Sequence, residues 1–461
     1  MVGKNKDLDI LLGEPKKAIQ SMVVAFLLAL AVVRINKFVD TFWVAGLGAA
    51  SGSAVATVTP IYGLMMCAAV GISVGATTTI SFRIGRREME EANKLASSSI
   101  VLGIVCAAIS SVLIAIFSKP LLNFIGAGEI IDECFSYLLP HILFSPLLLC
   151  NTIMGGILRG EGASRKSATV QMSAAGFNMV FDPIFIYGAG WGVFGAGFST
   201  VFSAGLATLV GLRWFTTGKT AVKLERKNFK LDRLVSVEIL EVGGPRTVQA
   251  MIAEGTALIQ RIFLIAAGGI NAVMFYNYPW KYINLINLPA KAYGNAMLPV
   301  CASAYGQRDF GRMRIGFVYT TKIVLIFSVI ASILIFVFAE QLMTVLTYAE
   351  TMRPLRPHFV WTLRMTALFI PFHAMMSISS SLLQSLKKAK MSTDCYFVWG
   401  LLKLGMYAIA GLVYHSYKLI VYFMVIVYVF GGVFMTYLAI WQFRKASKTA
   451  SEAPADAAND P

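Results

Sequence analysis

Twelve apolar runs, each long enough to cross a bilayer, follow one another from residue 18 to residue 443. A spanning helix needs roughly 20 mostly apolar residues. The runs fall near 18–39, 54–82, 95–118, 131–158, 168–187 and 194–216, then 237–265, 272–305, 314–339, 357–383, 394–413 and 417–443. Hydrophobic residues make up 57% of the chain and charged residues only 14%, against roughly 25% charged in an ordinary soluble domain. An aqueous globule is therefore excluded. The expected fold class is an all-α integral membrane protein, with twelve transmembrane helices in two six-helix bundles, an N-lobe and a C-lobe, around a central cavity.

Charge placement tests the number of spans independently, because Lys and Arg concentrate in cytoplasmic connectors. Alternate connectors carry Lys16 and Lys17, Arg83 to Lys94, Arg159 to Lys166, Arg213 to Arg233, Arg308 to Arg314, Lys387 to Lys390, and Arg444 to Lys448. The opposite connectors hold only Lys119, Arg353, Arg356 and Lys418. Both termini are thus expected in the cytoplasm of a multi-pass protein of the cell membrane. The net charge of +16 lies mainly in these connectors, which argues against a nucleic-acid partner.

The domain organisation follows: a cytoplasmic N-terminal segment 1–17, the N-lobe 18–216, a basic linker 217–236, the C-lobe 237–444, and a disordered, Ala-, Asp-, Glu- and Pro-rich tail 445–461. No apolar stretch with a small-residue cleavage site precedes the first span, so it is expected to be retained. The six cysteines are scattered without CxxC spacing and read as small core residues.

The two halves can be laid over each other at an offset of about 220 residues. Phe42 to Gly48 then faces Ile262 to Gly268, and Ile84 to Arg87 faces Tyr305 to Arg308. Six spans per half put both repeats in the same orientation, with the repeat axis along the membrane normal. A single chain of this kind is complete in principle, and a monomer is expected.

Three stretches resemble the multidrug and toxic compound extrusion (MATE) transporters, and more closely their archaeal and DinF-type branch. They are Val39 to Gly48, Ile157 to Gly162, and Gly176 to Phe185 with its Asn178-Met179-Val180-Phe181-Asp182-Pro183 core. The resemblance implies secondary active export by alternating access. A proton or sodium ion moves inward while an amphipathic small molecule leaves, with no nucleotide hydrolysis and no cofactor beyond that H+ or Na+.

Ionisable groups inside a span are costly in hydrocarbon and point to pathways or partners. Asp40 and Asp182 lead the candidates. Asn178 and Asp182 share a helical face at four-residue spacing, and Pro183 frees a carbonyl one turn back. A carboxylate beside an amide suits either a proton or Na+, which makes Asp40, Asn178 and Asp182 a possible Na+ set. The family resemblance adds Tyr137 and Thr200 to this ion-coupling group.

Two features depart from the family pattern. Arg34 and Lys37 precede Asp40 on nearly the same face, and an ion pair with Lys37 would favour the ionised form of Asp40. No proline lies between Pro15 and Pro60, so nothing in the first span requires a proline bend. In the second half, Asn277, Lys281, Asn284, Lys291 and Asn295 form a polar stripe, with Glu254 and Arg261 two turns apart on the preceding span. Lys37, Glu254, Lys281, Asn284 and Lys291 are accordingly candidates for a substrate cavity. Cavity lysines favour an alternative substrate, an anionic or lipid-linked molecule that the protein would export or flip. An enzyme is the least favoured class, because no DDxxD, HExxH, P-loop or clustered histidine motif occurs.

Overall fold

The structure is a computed structural model that describes residues 6–124, 128–347 and 350–452. It contains helices and turns, with no strand among the described residues. A short helix α1 (Lys6–Leu12) is followed by α2 (Pro15–Ala45), α3 (Ala49–Gly85), α4 (Met89–Phe124), α5 (Ile131–Leu143), α6 (Ser145–Gly160), α7 (Ser164–Pro183) and α8 (Gly192–Thr216). A long helical stretch from Arg233 to Gly306 is interrupted at Gly268 and Gly269, where the backbone leaves helical angles. It divides into α9 (Arg233–Gly269) and α10 (270–306). The second half continues with α11 (Phe310–Val337), α12 (Ala339–Leu346), α13 (Arg356–Ala367), α14 (Ile370–Ser385), α15 (Ala389–Ala408) and α16 (Tyr417–Glu452).

Eight of these helices are long and apolar enough to cross a membrane unaided: α2, α3, α4, α8, α9, α11, α15 and α16. Two further spans are bent pairs, α5 with α6 at 59° and α13 with α14 at 46°. Each break precedes a proline, Pro146 or Pro371, in the first turn of the second helix, where the missing N–H interrupts the ladder. The two spans that complete the twelve, α7 and α10, carry the polar residues. Asn178 and Asp182 lie on α7, while Asn277, Lys281, Asn284, Asn287, Lys291 and Asn295 lie on α10.

The repeat is visible in backbone geometry. Left-handed residues recur in pairs: Gly48 with Gly269 and Arg87 with Arg308, each 221 residues apart, then Gly162 with Lys387 and Gly190 with His415, each 225 apart. The π turns Ile184–Gly188 and Ile409–Val413 obey the second spacing. So do Pro146 and Pro371. The register therefore shifts by four residues between Arg87 and Pro146 of the first half.

The residues cluster into two compact units, Met1–Glu254 and Gly255–Pro461. In the first, α3 is locked to α6 by hydroxyls one turn apart. Ser73 donates to the Thr152 carbonyl at 2.9 Å, Thr77 to Gly156 at 2.9 Å and Ser81 to Gly160 at 2.7 Å. The constant offset of 79 residues defines two parallel helices in register. On its other side α3 meets α9 at small residues. A Cβ on Gly71 would stand 2.5 Å from the Gly243 carbonyl oxygen, so only glycine lets the backbones approach this closely.

The linker ahead of α9, residues 217–232, packs within the first unit. Glu161, fully buried in the turn between α6 and α7, accepts hydrogen bonds from the Ala221 and Val222 N–H groups at 2.8 and 2.9 Å. The Lys223 N–H donates to Asn93 at 2.8 Å. Arg83 reaches Glu238 and Glu88 at 2.8 and 2.6 Å. Residues 445–452, expected to be disordered, continue α16 as helix. The rest of that tail, 453–461, and residues 1–5 lie outside the described residues.

Candidate ion-coupling site

Parallel helices α2 and α7 pack side by side, with α8 against α7. Asn36 on α2 donates from Nδ2 to Asn178 Oδ1 on α7 at 2.9 Å. Asn178 in turn donates from Nδ2 to Asp182 Oδ1 at 2.6 Å and to Ser199 Oγ on α8 at 3.0 Å. Asp40 stands one turn beyond Asn36, and Asp182 one turn beyond Asn178. The Asn36–Asn178 bond thus sets the two carboxylates at the same level of neighbouring helices, close enough to influence each other electrostatically. Tyr62 and Tyr137 lie within electrostatic reach of Asp40, and Tyr137 also of Asp182.

Three oxygens in this layer are buried with no hydrogen-bond partner: Asn36 Oδ1, Asp40 Oδ1 and Asp182 Oδ2. A buried acceptor left in this condition is unfavourable by about 1–3 kcal/mol. A proton on each acid, or a cation drawn among the oxygens, removes that penalty. The donor set is all oxygen, which suits a hard monovalent cation. No group of three or more His, Cys, Asp or Glu with metal-ligand geometry occurs among the described residues.

The floor of the site is held by α5. Tyr137 is buried, and its carbonyl accepts from His141 Nδ1 at 2.9 Å. The His141 Nε2 is buried without a partner. Gly197 on α8 lies directly against this turn, because a Cβ there would meet the His141 ring at 3.3 Å. Beyond Asp182 the helix widens into the π turn Ile184–Gly188, and the Tyr187 hydroxyl donates to the Trp43 carbonyl of α2 at 2.6 Å. The equivalent turn Ile409–Val413 forms without a preceding proline, so Pro183 alone does not cause the widening.

The structure gathers Asp40, Tyr137, Asn178 and Asp182 but leaves Thr200 aside. The Thr200 hydroxyl bonds back to the Ala196 carbonyl on its own helix at 3.2 Å, and the neighbouring Ser199 joins the network instead. The anticipated Lys37–Asp40 ion pair is not formed among the described residues. Lys37 is exposed, whereas Asp40 turns a carboxylate oxygen into the protein. As the absence of a proline suggests, α2 runs unbroken from Pro15 to Ala45.

The remaining cavity candidates are more dispersed. The Glu254 carboxylate lies against α3, 3.4 Å from where a Cβ of Gly63 would stand. In the second unit, the Lys281 ammonium sits 4.8 Å over the Tyr278 ring. Lys291 is exposed and Asn284 half-buried on α10. Asn287, which the polar stripe did not include, is buried and bonded to His373 Nδ1 at 3.0 Å.

Comparison with known proteins gives a family. The MatE family matches in two blocks, residues 25–184 and 250–406, one in each half of the repeat. The chain belongs to the MATE family. Its relatives include the multidrug export protein MepA of Staphylococcus aureus (strain NCTC 8325 / PS 47), 26% identical over 263 residues. That match takes in 57% of this chain and 58% of the relative, less than two thirds of its length. MepA of Staphylococcus haemolyticus (strain JCSC1435) is 24% identical over 251 residues, 54% of this chain and 55% of the relative.

Among solved structures, a MATE transporter in a bent conformation superimposes with a TM-score of 0.91 at 25% identity, covering 97% of this chain and 99% of its own. A MOP superfamily transporter from Pyrococcus furiosus Vc1 (DSM3638), reported to have a binding pocket of reverse polarity, gives 0.89 at 24% identity, covering 97% and 99%. The second likeness bears on the fold alone. As a MATE protein, the chain is a multi-pass membrane protein of twelve helices in two lobes.

Proposed function

We propose that this protein is a secondary active exporter of amphipathic small molecules, driven by inward movement of a proton or sodium ion. It would sit in the cell membrane with both termini in the cytoplasm, where the lysine- and arginine-rich connectors belong. The observation that supports coupling is the pair Asp40 and Asp182, with one buried, unpartnered oxygen on each. Both acids lie in membrane-spanning helices, and the Asn36–Asn178 bond ties those helices together. Carboxylic acids in low dielectric favour the protonated form, and regain charge when water or a cation reaches them. Loading on one face and release on the other would couple the ion to a change of access, as alternating access requires. The multidrug export described for MepA supports the same substrate class.

The test is ethidium movement in proteoliposomes under an imposed pH or Na+ gradient. The wild-type protein is expected to move dye with one of the two gradients, and Asp182→Asn and Asp40→Asn to lose the gradient dependence. Undiminished gradient-driven transport in both variants would refute the assignment.

A second reading, export or flipping of an anionic or lipid-linked substrate, is favoured by the second unit. Its carboxylates are Asp309, Glu340, Glu350, Asp394, Glu452, Asp456 and Asp460, of which only Asp394, in the second turn of α15, lies within a span. Its spans carry Arg261, Lys281, Lys291, Arg364 and Lys403 instead.

A further inference from the structure

The internal repeat assigns each residue of the carboxylate site a counterpart in the second unit. At the 221-residue spacing shown by Gly48 and Gly269, Asp40 corresponds to Arg261. At the 225-residue spacing shown by Gly162 and Lys387, Asn178 corresponds to Lys403 and Asp182 to Tyr407. Both acids are absent from the second copy, and two of the three positions hold basic residues, Arg261 and Lys403.

Lys403 stands fourteen residues into α15, about 21 Å along the helix at 1.5 Å per residue. Its side chain is too short to bring the ammonium back to the cytoplasmic surface from that depth. The ammonium lies 5.9 Å over the ring of the fully buried Tyr407. It forms no ion pair or hydrogen bond with the described residues. Cations also lie around the adjacent aromatic cluster. Both Lys291 and Lys403 are within electrostatic reach of His373, whose ring packs edge-on against Trp280 at 6.0 Å and against Tyr428 at 5.1 Å. Tyr428 is stacked on Phe369 at 4.6 Å. The one carboxylate inside a span of this unit, Asp394, lies nine residues before Lys403 on α15, about 14 Å along the helix, and makes no ion pair with Lys403 among the described residues. An unpaired cation at this depth in a span is strongly disfavoured unless an anion joins it.

We propose that the second unit contains an anion-binding site, in which Lys403 receives the carboxylate, sulfonate or phosphate of an amphipathic ligand whose apolar body packs on the half-buried rings of Trp280 and Tyr428. The site deepens the anionic-substrate reading given above and rests on it for its role in transport. Binding itself requires no gradient, so failed binding and failed transport are separately observed. The free anion and the head group of an anionic lipid share this chemistry.

The experiment is calorimetric titration of the full chain in phosphatidylcholine nanodiscs with 1-naphthoate and with its cationic counterpart 1-naphthylmethylammonium. Wild-type protein is expected to bind the naphthoate in preference. Lys403→Gln is expected to weaken that binding by at least about tenfold, while Lys403→Arg retains it. Repeating the titration with phosphatidylglycerol in the disc separates the sources. Suppressed naphthoate binding identifies the lipid head group as a competing occupant, and unchanged binding identifies a free organic anion. Equal or stronger binding of the naphthylmethylammonium by wild-type protein would overturn the proposal without recourse to any variant. So would unaltered naphthoate affinity in a folded Lys403→Gln protein.

Discussion

Replacing Glu161 should release the connector between the two halves, and the structure sets the size of the effect. Its Oε2 accepts the Ala221 and Val222 N–H groups at 2.8 and 2.9 Å, while Oε1 is buried without a partner. Glu161→Ala leaves two backbone donors unpaired at about 1–3 kcal/mol each, or roughly 2–6 kcal/mol for the local opening. Protection of the 221 and 222 amides against hydrogen exchange should then fall by at least about thirtyfold, at 1.4 kcal/mol per decade. Glu161→Gln keeps an oxygen acceptor and should retain most of the protection.

Burial raises the Glu161 carboxyl from 4.5 to about 8, against the opposing bond from Val222 and charge of Lys166. The folded connector therefore holds a proton that the released one gives up between those values. This contribution to stability is fully present below pH 4.5 and is lost as the pH rises through about 8. The protection factors at 221 and 222, which take out the base-catalysed rise of intrinsic exchange, should fall across that window in the wild type but not in Glu161→Gln. Equal protection in wild type and Glu161→Ala, or pH responses that match in wild type and Glu161→Gln, would refute the reasoning.

Three further outcomes follow from the packing. Thr77→Val removes one inter-helix hydroxyl bond at nearly constant volume and should lower stability by about 0.5–1.5 kcal/mol, read as a reduced Tm in detergent. Gly71→Leu forces α3 away from the Gly243 carbonyl and should cost about 1–3 kcal/mol or more, seen as a larger fall in Tm than Gly52→Leu, where a Cβ meets no neighbour. Asn36→Leu breaks the α2–α7 bond at Asn178 while leaving both acids in place. It should reduce gradient-driven transport more than it reduces substrate affinity, measured by comparing transport rate with equilibrium binding.

Much of the architecture was legible because hydrocarbon imposes long apolar runs, and all twelve spans were read in that way. Ten of them are apolar enough to span by composition alone or as a bent pair, while α7 and α10 also keep polar groups that a lipid-facing helix would lack. The bends ahead of Pro146 and Pro371 were harder to see, because a proline near the middle of an apolar run also fits a continuous, kinked span. Asp182 and Asn178 stood out through their four-residue spacing. The same spacing joins Asn36 to Asp40 and was a usable signal for the residue that links the two helices. Ser199 could not be chosen over Thr200 from the sequence, as the two differ by one helical step of about 100° that only packing decides. Glu161 gave no sign of its role, since its partners are backbone groups sixty residues away.

The central proposal is that Asp40 and Asp182 hold the coupling ion, which antiport requires to leave when substrate is taken up. Its most direct test is ion release on addition of ethidium to purified protein, followed with a pH indicator in weak buffer and with radioactive Na+ in a parallel sample. Wild-type protein should release protons or Na+, and the Asp40→Asn, Asp182→Asn double variant should bind ethidium with no release of either. Release of the same ion, in the same amount, from the double variant would contradict the account.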